Sequence, residues 1–478
     1  MKHYLMFDMG TGNSRVCLVD SCGKVLGIKR FDNKYYRDDS YDDGQYFIPE
    51  RWSEKLIKGC YELCKEHPEI KVNGISAAAA RQSFVLIDRC GKAFLGLPNI
   101  DNRGKAFIND IGHAEEIYKR SGKWLTEDFG AGKLLGLKVK HTEEFNKIYK
   151  ITSLSEWMGY IFTGKCSIEP SHASESQLYD LKTKSWSEDI CSWYDYDKDI
   201  LPELVPGGSI LGPVDREYAG ALNLDEDAVF IVGGADTQIA IRQTGIKAGE
   251  IAIVSGTTSP VVTLKDEFFY DPEQRVWVES NVSGDNYQIE MNPGVTGLNY
   301  QNMKKLLCPD KSYDELEEEY SGIKEVKCTA SFTSLLFYEK RGLRNGGFFM
   351  RSPLQDNVTA ADLMYSILGD IACATYEELK RLVEITGNDP DFLLGCGGGF
   401  QSETLCRMVS SLSGKPLKLK KGFGQATVQG LVSICNDALG ETSGEEEEYL
   451  LFTPEEDNLI FKYYPVWKKN RDKVNDCK

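Results

Sequence analysis

Residues 231–262, IVGGADTQIAIRQTGIKAGEIAIVSGTTSPVV, decide how the chain is read. An apolar run, Val229 to Val232, ends in Gly233-Gly234, and Asp236 follows shortly after. That order predicts a buried strand whose carboxyl end presents an aspartate, the edge of an α/β sheet where ligands gather. A second apolar run, Ile251 to Val254, stops at Ser255-Gly256-Thr257-Thr258 and resumes at Val261-Val262, which predicts strand, tight turn, strand. Two meanings stay open for that turn. Small residues dominate ordinary hairpins for steric reasons, and the same residues leave backbone N–H groups bare enough to hold a phosphate.

The amino terminus repeats the pattern. Tyr4 to Phe7 is apolar, Asp8 follows, then Met9-Gly10-Thr11-Gly12-Asn13-Ser14, with Arg15 to Val19 alternating before a Ser21-Cys22-Gly23-Lys24 turn and a third extended run from Val25. Two turns of like composition, each near an acidic residue, predict two related halves facing one nucleotide.

Length and composition bound the rest. A chain of 478 residues is too long for one core and fits two domains of about 200 residues or more. A net charge of −17 argues against nucleic acid or an anionic membrane as a standing partner. It leaves ATP open, since a local loop binds an anion on an acidic protein. The 14 cysteines show no CxxC pair, and neither they nor the five histidines fall at zinc spacing. Cys60 and Cys64 share a helix face and read as a buried, inert pair. Asp8 interrupts MKHYLMFD, so the start reads as no signal peptide, and no apolar run reaches membrane-spanning length. Free thiols without an export signal predict a cytoplasmic protein.

The elements between these landmarks read as follows. Residues 4–31 predict three antiparallel strands, and Ser53 to Glu66 a helix. Val72 to Ala79 and Phe84 to Asp88 read as strands flanking Arg81-Gln82-Ser83, and residues 104–165 as mainly helical. Gly159 to Cys166 fits GxxxxGK, but Cys166 stands where a P-loop needs Ser or Thr, and Gly164 suits a helix C-cap, so a P-loop is rejected. Residues 186–199 read as a surface helix and loop. In the second half, residues 264–300 suit strands, 309–327 an exposed helix, Ala361 to Leu382 a long helix and Gln425 to Leu439 another. The acidic run 445–448 and the basic tail read as surface.

Four segments taken together carry a resemblance. Asp8 to Arg15, Gly233 to Gln238, Ser255 to Thr258, and Gly395-Cys396-Gly397-Gly398-Gly399-Phe400-Gln401-Ser402 resemble, in order and spacing, the motifs of the FGGY carbohydrate kinases of the actin/hexokinase/Hsp70 superfamily. The resemblance implies two actin-like, ribonuclease H-like α/β domains with mixed sheets flanked by helices and an active site in the inter-domain cleft, which would close on substrate. The sugar-binding domain would cover 1–247 and the nucleotide domain 248–478. It implies Mg-ATP as donor, a small sugar or polyol as acceptor and Asp236 as general base. Arg81, Gln82, Asp101, Asp236 and Thr237 would touch the acceptor, and Asp8 would hold magnesium. Thr11, Gly12, Asn13, Ser14, Arg15, Gly256, Thr257, Gly397, Gly398 and Ser402 would hold the nucleotide. Ile100 stands where many relatives have Trp, and Tyr365, Gly369 and Gln425 replace a usual arginine, glutamate and glutamate. The segments look most like the xylulokinase and autoinducer (dihydroxypentanedione) kinase branches, so a pentulose or related open-chain ketose is expected. Glycerol, a hexonate and a non-kinase ATPase scaffold stay as alternatives, and a homodimer stays compatible with the sequence.

Overall fold

The computed structural model describes residues 1–335, 345–441 and 448–475. The chain forms two units. The first takes Met1–Arg242, Asp266–Gln288 and Thr427–Glu446, and the second Gln243–Lys265, Ile289–Ala426 and Glu447–Lys478. The expected cut after residue 247 lies close to the first crossing, but one cut could not foresee the two later segments that return to the first unit.

The first unit is built on a sheet in the order Ile210–Pro213, Leu224–Ala235, Val72–Ala79, His3–Met9, Asn13–Asp20, Val25–Asp32. His3–Met9 pairs antiparallel with Asn13–Asp20 and parallel with Val72–Ala79, which pairs parallel with Leu224–Ala235. Alternation along His3–Met9 sends Leu5, Phe7 and Met9 into one core and Tyr4 and Met6 into another. Both faces are therefore covered, which is why the strand reads as an unbroken apolar run. Helix Pro49–Glu66 covers the first face through Trp52, Leu56, Cys60, Leu63 and Cys64. The two cysteines are free buried thiols whose pKa burial pushes up, Cys64 to about 11, in keeping with an inert pair. Helix Ala426–Leu439 covers the other face with Val428, Leu431, Val432 and Cys435, which explains the return of Thr427 onward to this unit.

Not all of residues 104–165 is helical. Ile148–Ser153 is a strand paired antiparallel with Phe84–Asp88, and its partner lies too far along the chain for local periodicity to reveal it. Ser153 then caps helix Leu154–Thr163 by accepting from the Glu156 N–H, and Gly164 ends that helix at φ 70°, the C-cap role expected of it. In residues 186–199, helix Glu188–Tyr194 buries Ile190, Cys191 and Tyr194 rather than lying wholly at the surface.

The second unit repeats the same plan. Ile251–Val254 pairs antiparallel with Val261–Lys265 and parallel with Leu393–Cys396, which pairs parallel with Leu417–Lys420, itself antiparallel to Tyr449–Phe452. These five strands repeat the pairing directions of five strands of the first unit's six-stranded sheet, although this sheet has seven strands and its antiparallel edge strand follows its partner in the chain instead of preceding it. Helix Tyr313–Ser321 opens with a Ser312/Glu315 capping box, and the long helix Ala360–Thr386 with a Thr359/Asp362 one. Residues 264–300 end in a helix, Gly297–Leu307, rather than a strand. The tail is not a surface appendage. Helix Ile460–Asn475 buries Tyr463, Trp467 and Arg471, with Tyr463 donating to Ser366 O at 2.6 Å and Trp467 Nε1 to Asp370 Oδ1 at 2.7 Å. A Cβ on Gly369 would stand 2.7 Å from the Tyr463 ring, which accounts for glycine in place of the usual glutamate. The acidic run 445–448 lies outside the described residues except for Glu448, which is exposed.

Candidate active site

The sheet of the first unit gathers its chemistry at the carboxyl ends of three neighbouring parallel strands. Asp8 stands opposite Ala78, and Ala79 pairs with both Met9 and Ala235, so Asp8, Arg81 and Asp236 emerge from adjoining strand ends. Asp236 begins helix Asp236–Gln243. Its Oδ1 accepts from the Thr237 N–H at 2.7 Å and the Thr237 hydroxyl at 3.3 Å, and among the described residues no hydrogen bond reaches Oδ2. The side chain keeps some exposed surface but sits among dense protein. Burial pushes its carboxyl up to about 6, with Asp8 adding to the rise and Arg81, the Thr237 N–H and His172 opposing it.

Asp8 is held across the amino-terminal hairpin by Arg15, whose Nε and Nη2 lie 2.7 and 2.6 Å from Oδ2. Asp8 and Asp236 thus set two carboxylates at one sheet edge, oxygen donors of the kind that suits a hard divalent cation. The turn after Asp8 is braced from below. Asn33 Nδ2 donates to Gly10 O and Thr11 O, and the Tyr35 hydroxyl to Thr11 O at 2.6 Å. Gly12 and Asn13 are left exposed, whereas Ser14 is buried with its hydroxyl on Asn33 Oδ1. The Ser14 hydroxyl is therefore part of the brace.

A buried charge network lies under Arg81. Arg81 Nη1 meets Glu279 Oε1 at 3.0 Å, Lys123 Nζ meets Glu279 at 2.6 Å and Glu175 at 3.0 Å, and Gln238 Nε2 donates to Glu279 Oε2. Gln82 sits beside it in the left-handed region at φ 60°, a strained setting for a side chain of this kind. Asp101 is placed differently from its expected role. It has no exposed surface, and its two oxygens accept from the Gln45 N–H at 2.8 Å and Arg103 Nε at 2.7 Å. Lys133 holds the same loop by donating to the carbonyls of Pro98, Asn99 and Asp101, and burial pulls its pKa down to about 8. Asp101 thus anchors the loop from within, each of its oxygens already engaged by the protein.

In the second unit, the Ser255–Thr258 turn packs on the glycine segment. Ser255 N donates to Cys396 O and Gly399 N to Ser255 O, both at 2.8 Å. A Cβ on Gly397 would come 2.4 Å from Ser255 O, and one on Gly399 2.1 Å from Ser255 Oγ, while Gly398 faces open space. Glycine is thus required for two loops to lie backbone against backbone, the bare surface that a phosphate or ribose needs. Ser402 caps helix Glu403–Ser413, but its hydroxyl and the Thr404 N–H and hydroxyl are all turned to Glu317. That helix end is thus engaged by a carboxylate of the protein itself.

Residues 3–241 match the model of the FGGY family of carbohydrate kinases, N-terminal domain. YoaC of Bacillus subtilis (strain 168), which bears a provisional sugar-kinase name, is 36% identical over 472 residues, covering 98% of this chain and 97% of YoaC. This chain belongs to the FGGY carbohydrate kinases. The autoinducer-2 kinase of Salmonella choleraesuis (strain SC-B67) is 22% identical, with 86% of this chain and 82% of that enzyme covered. The ligand-bound xylulose kinase of Lactobacillus acidophilus superposes with a TM-score of 0.85 at 18% identity, over 99% of both chains, and gives the fold: two actin-like α/β domains.

As an FGGY kinase the protein is a phosphotransferase that moves a phosphoryl group from ATP to a sugar. Asp8, Arg81 and Asp236, singled out in the sequence, emerge from adjoining strand ends, with Arg15 on Asp8. Asn33, Tyr35, Lys123, Glu175, Glu279 and Glu317, which brace them or the glycine segment, stand in no local motif. Only Lys123, a lone cation in the run Ser121 to Leu125, carried a hint. Among the described residues no helix is long and apolar enough to cross a membrane.

Proposed function

We propose that this kinase phosphorylates a hydroxyl of a pentulose or a related open-chain ketose, with Asp236 as general base. The observation that supports it most is the Asp236 carboxyl itself: held on one oxygen by Thr237, open on the other, and pushed up to about 6. A base of that strength is ionised at neutral pH yet accepts a proton more readily than an ordinary aspartate. Arg81 and Thr237 orient the acceptor hydroxyls, Gln82 contributes beside them, and the Lys123–Glu279 pair keeps Arg81 in place. Thr11, Gly12, Asn13 and Arg15 in the first unit, and Gly256, Thr257, Gly397 and Gly398 in the second, meet the nucleotide through backbone and short side chains. Magnesium, held from Asp8, would neutralise phosphate charge when bound. With that charge offset, what the chain adds is alignment and one proton acceptor. Free thiols throughout the described residues suit a cytoplasmic setting.

Relatives named as autoinducer-2 kinases keep dihydroxypentanedione in view as acceptor, and glycerol and hexonates are the contrasting classes. A coupled ADP-release screen over pentuloses, dihydroxypentanedione, polyols, hexonates and glycerol tests the substrate. Highest kcat/KM on a ketose of five carbons is expected, and preference for glycerol or a hexonate overturns the reading. Asp236→Asn should lose about 10²–10⁴ in kcat, and turnover near that of the parent enzyme removes Asp236 from this role.

A further inference from the structure

Behind the Asp236 strand lies a cluster that the proposed chemistry does not use. Glu156, Glu169 and His172 are buried, the last two with no exposed surface. His172 Nδ1 lies 3.3 Å from Glu156 Oε2, 3.2 Å from Glu169 Oε1 and 3.1 Å from the Ser155 hydroxyl. Burial with the charge of Glu156 pushes the Glu169 carboxyl up, and two carboxylates buried this close repel one another unless one keeps a proton or a cation sits between them. The imidazole is in that place. Burial pulls its pKa down, but the hydrogen bonds and charges of Glu156 and Glu169 outweigh burial and raise it to about 10, so it carries a proton at neutral pH.

The cluster is linked to the catalytic strand by a chain of hydrogen bonds. Glu169 Oε1 accepts from the His172 N–H and from the Ser171 hydroxyl, each at 2.5 Å, and Oε2 accepts from the Ser171 N–H at 2.7 Å. The Ser171 oxygen in turn accepts from the N–H of Ala235 at 3.3 Å, the residue next to Asp236. The strand is irregular at this point. Its register against Val72–Ala79 shifts between Ile231 and Gly234 and resumes at Gly234 and Ala235, so the last two residues before Asp236 are held by a resumed ladder on one side and by the Ser171 contact on the other. Gly234 passes so close that a Cβ there would lie 3.1 Å from Glu169 Cδ and 2.3 Å from Val282 Cγ1.

We propose that His172, clamped between Glu156 and Glu169, is a positioning residue for phosphoryl transfer, acting through Glu169 and the Ser171 hydroxyl on the Ala235 amide and hence on the aim of Asp236. The inference rests on the reading of Asp236 as the base. It makes Ser171 the coupling point: remove its hydroxyl and the clamp remains, but the strand end is released.

The test is steady-state kinetics on Ser171→Ala, Ser171→Thr, His172→Gln, the double variant His172→Gln/Ser171→Ala, and Asp236→Asn, each checked for folding by circular dichroism. Misaiming the base should lower kcat about 10- to 100-fold in Ser171→Ala, with KM for ATP within about twofold. Ser171→Thr, which keeps the hydroxyl, should recover most of the loss. Because both act along one path, the double variant should be no slower than the worse single one. Full kcat in Ser171→Ala, equal losses in the Ala and Thr variants, or additive losses in the double variant would overturn the proposal. So would a stoichiometric metal carried by the purified protein and lost in His172→Gln, since the cluster would then be a metal centre. An inactive Asp236→Asn alongside a fully active Ser171→Ala sinks the relay alone, whereas turnover retained in Asp236→Asn sinks the base.

Discussion

At the scale of single residues, Asp236 ties activity and stability together with opposite signs. Its folded carboxyl is pushed from 3.8 to about 6, chiefly by burial, so the native state takes up a proton that the unfolded chain does not hold between those values. The cost to stability is absent below pH 3.8 and complete above about 6. Asp236→Asn should therefore be more stable than the parent protein at pH 8 by about 1–3 kcal/mol and no more stable at pH 3.5, as read by urea denaturation. For the same reason kcat/KM of the parent enzyme should fall by about tenfold per pH unit below about 6, since only the ionised carboxylate accepts the proton. Individual residues were unevenly legible in the sequence. Asp8 and Asp236 announced themselves because each ends an apolar run. Asp101, Ser14 and Ser402 have the right chemistry for a site, but their partners Arg103 with Gln45, Asn33, and Glu317 absorb it. Of those partners only Arg103 stands near its residue in the chain.

Elements show the same division between what is local and what is not. Strands and helices with uninterrupted periodicity, such as Val72–Ala79 and Ala360–Thr386, lie where the pattern put them to within a few residues. Ile148–Ser153 escaped because a short strand between helices is defined by its partner rather than its own spacing. The pairing of the two glycine-bearing turns in the second unit is an element-scale fact with a direct consequence. Gly397 has φ 100°, and a Cβ there would stand 2.4 Å from Ser255 O, a backbone atom with little room to yield. Gly397→Ala should raise KM for ATP more than KM for sugar, and should cost about 1–3 kcal/mol of stability by thermal denaturation. The short helix that carries His172 offers a second check. A histidine whose folded pKa is raised from 6.5 to about 10 adds stability that is complete below pH 6.5 and lost as the pH climbs through about 10. Stability should decline across that alkaline range in the parent protein, and His172→Gln should show a flatter profile.

For the molecule as a whole, the duplicated sheet was foreseeable from two like turns, each beside an acidic residue. The way the chain shuttles between its units was not. Hydrophobic pattern marks which residues are buried, but not which of two cores receives them, and helix Ala426–Leu439 would have looked the same in either. A fragment of residues 1–247 expressed alone lacks that helix, so Tyr4, Met6, Cys17 and Val19 would face solvent together. Such a fragment should aggregate or bind a hydrophobic dye strongly, and co-expression with the remainder of the chain should suppress both. The interleaving also sets a schedule for synthesis. The first strands leave the ribosome long before the helix that seals them is translated, so for most of its production the nascent polypeptide carries an adhesive surface. Fast synthesis should therefore raise the chance that unfinished chains adhere to one another.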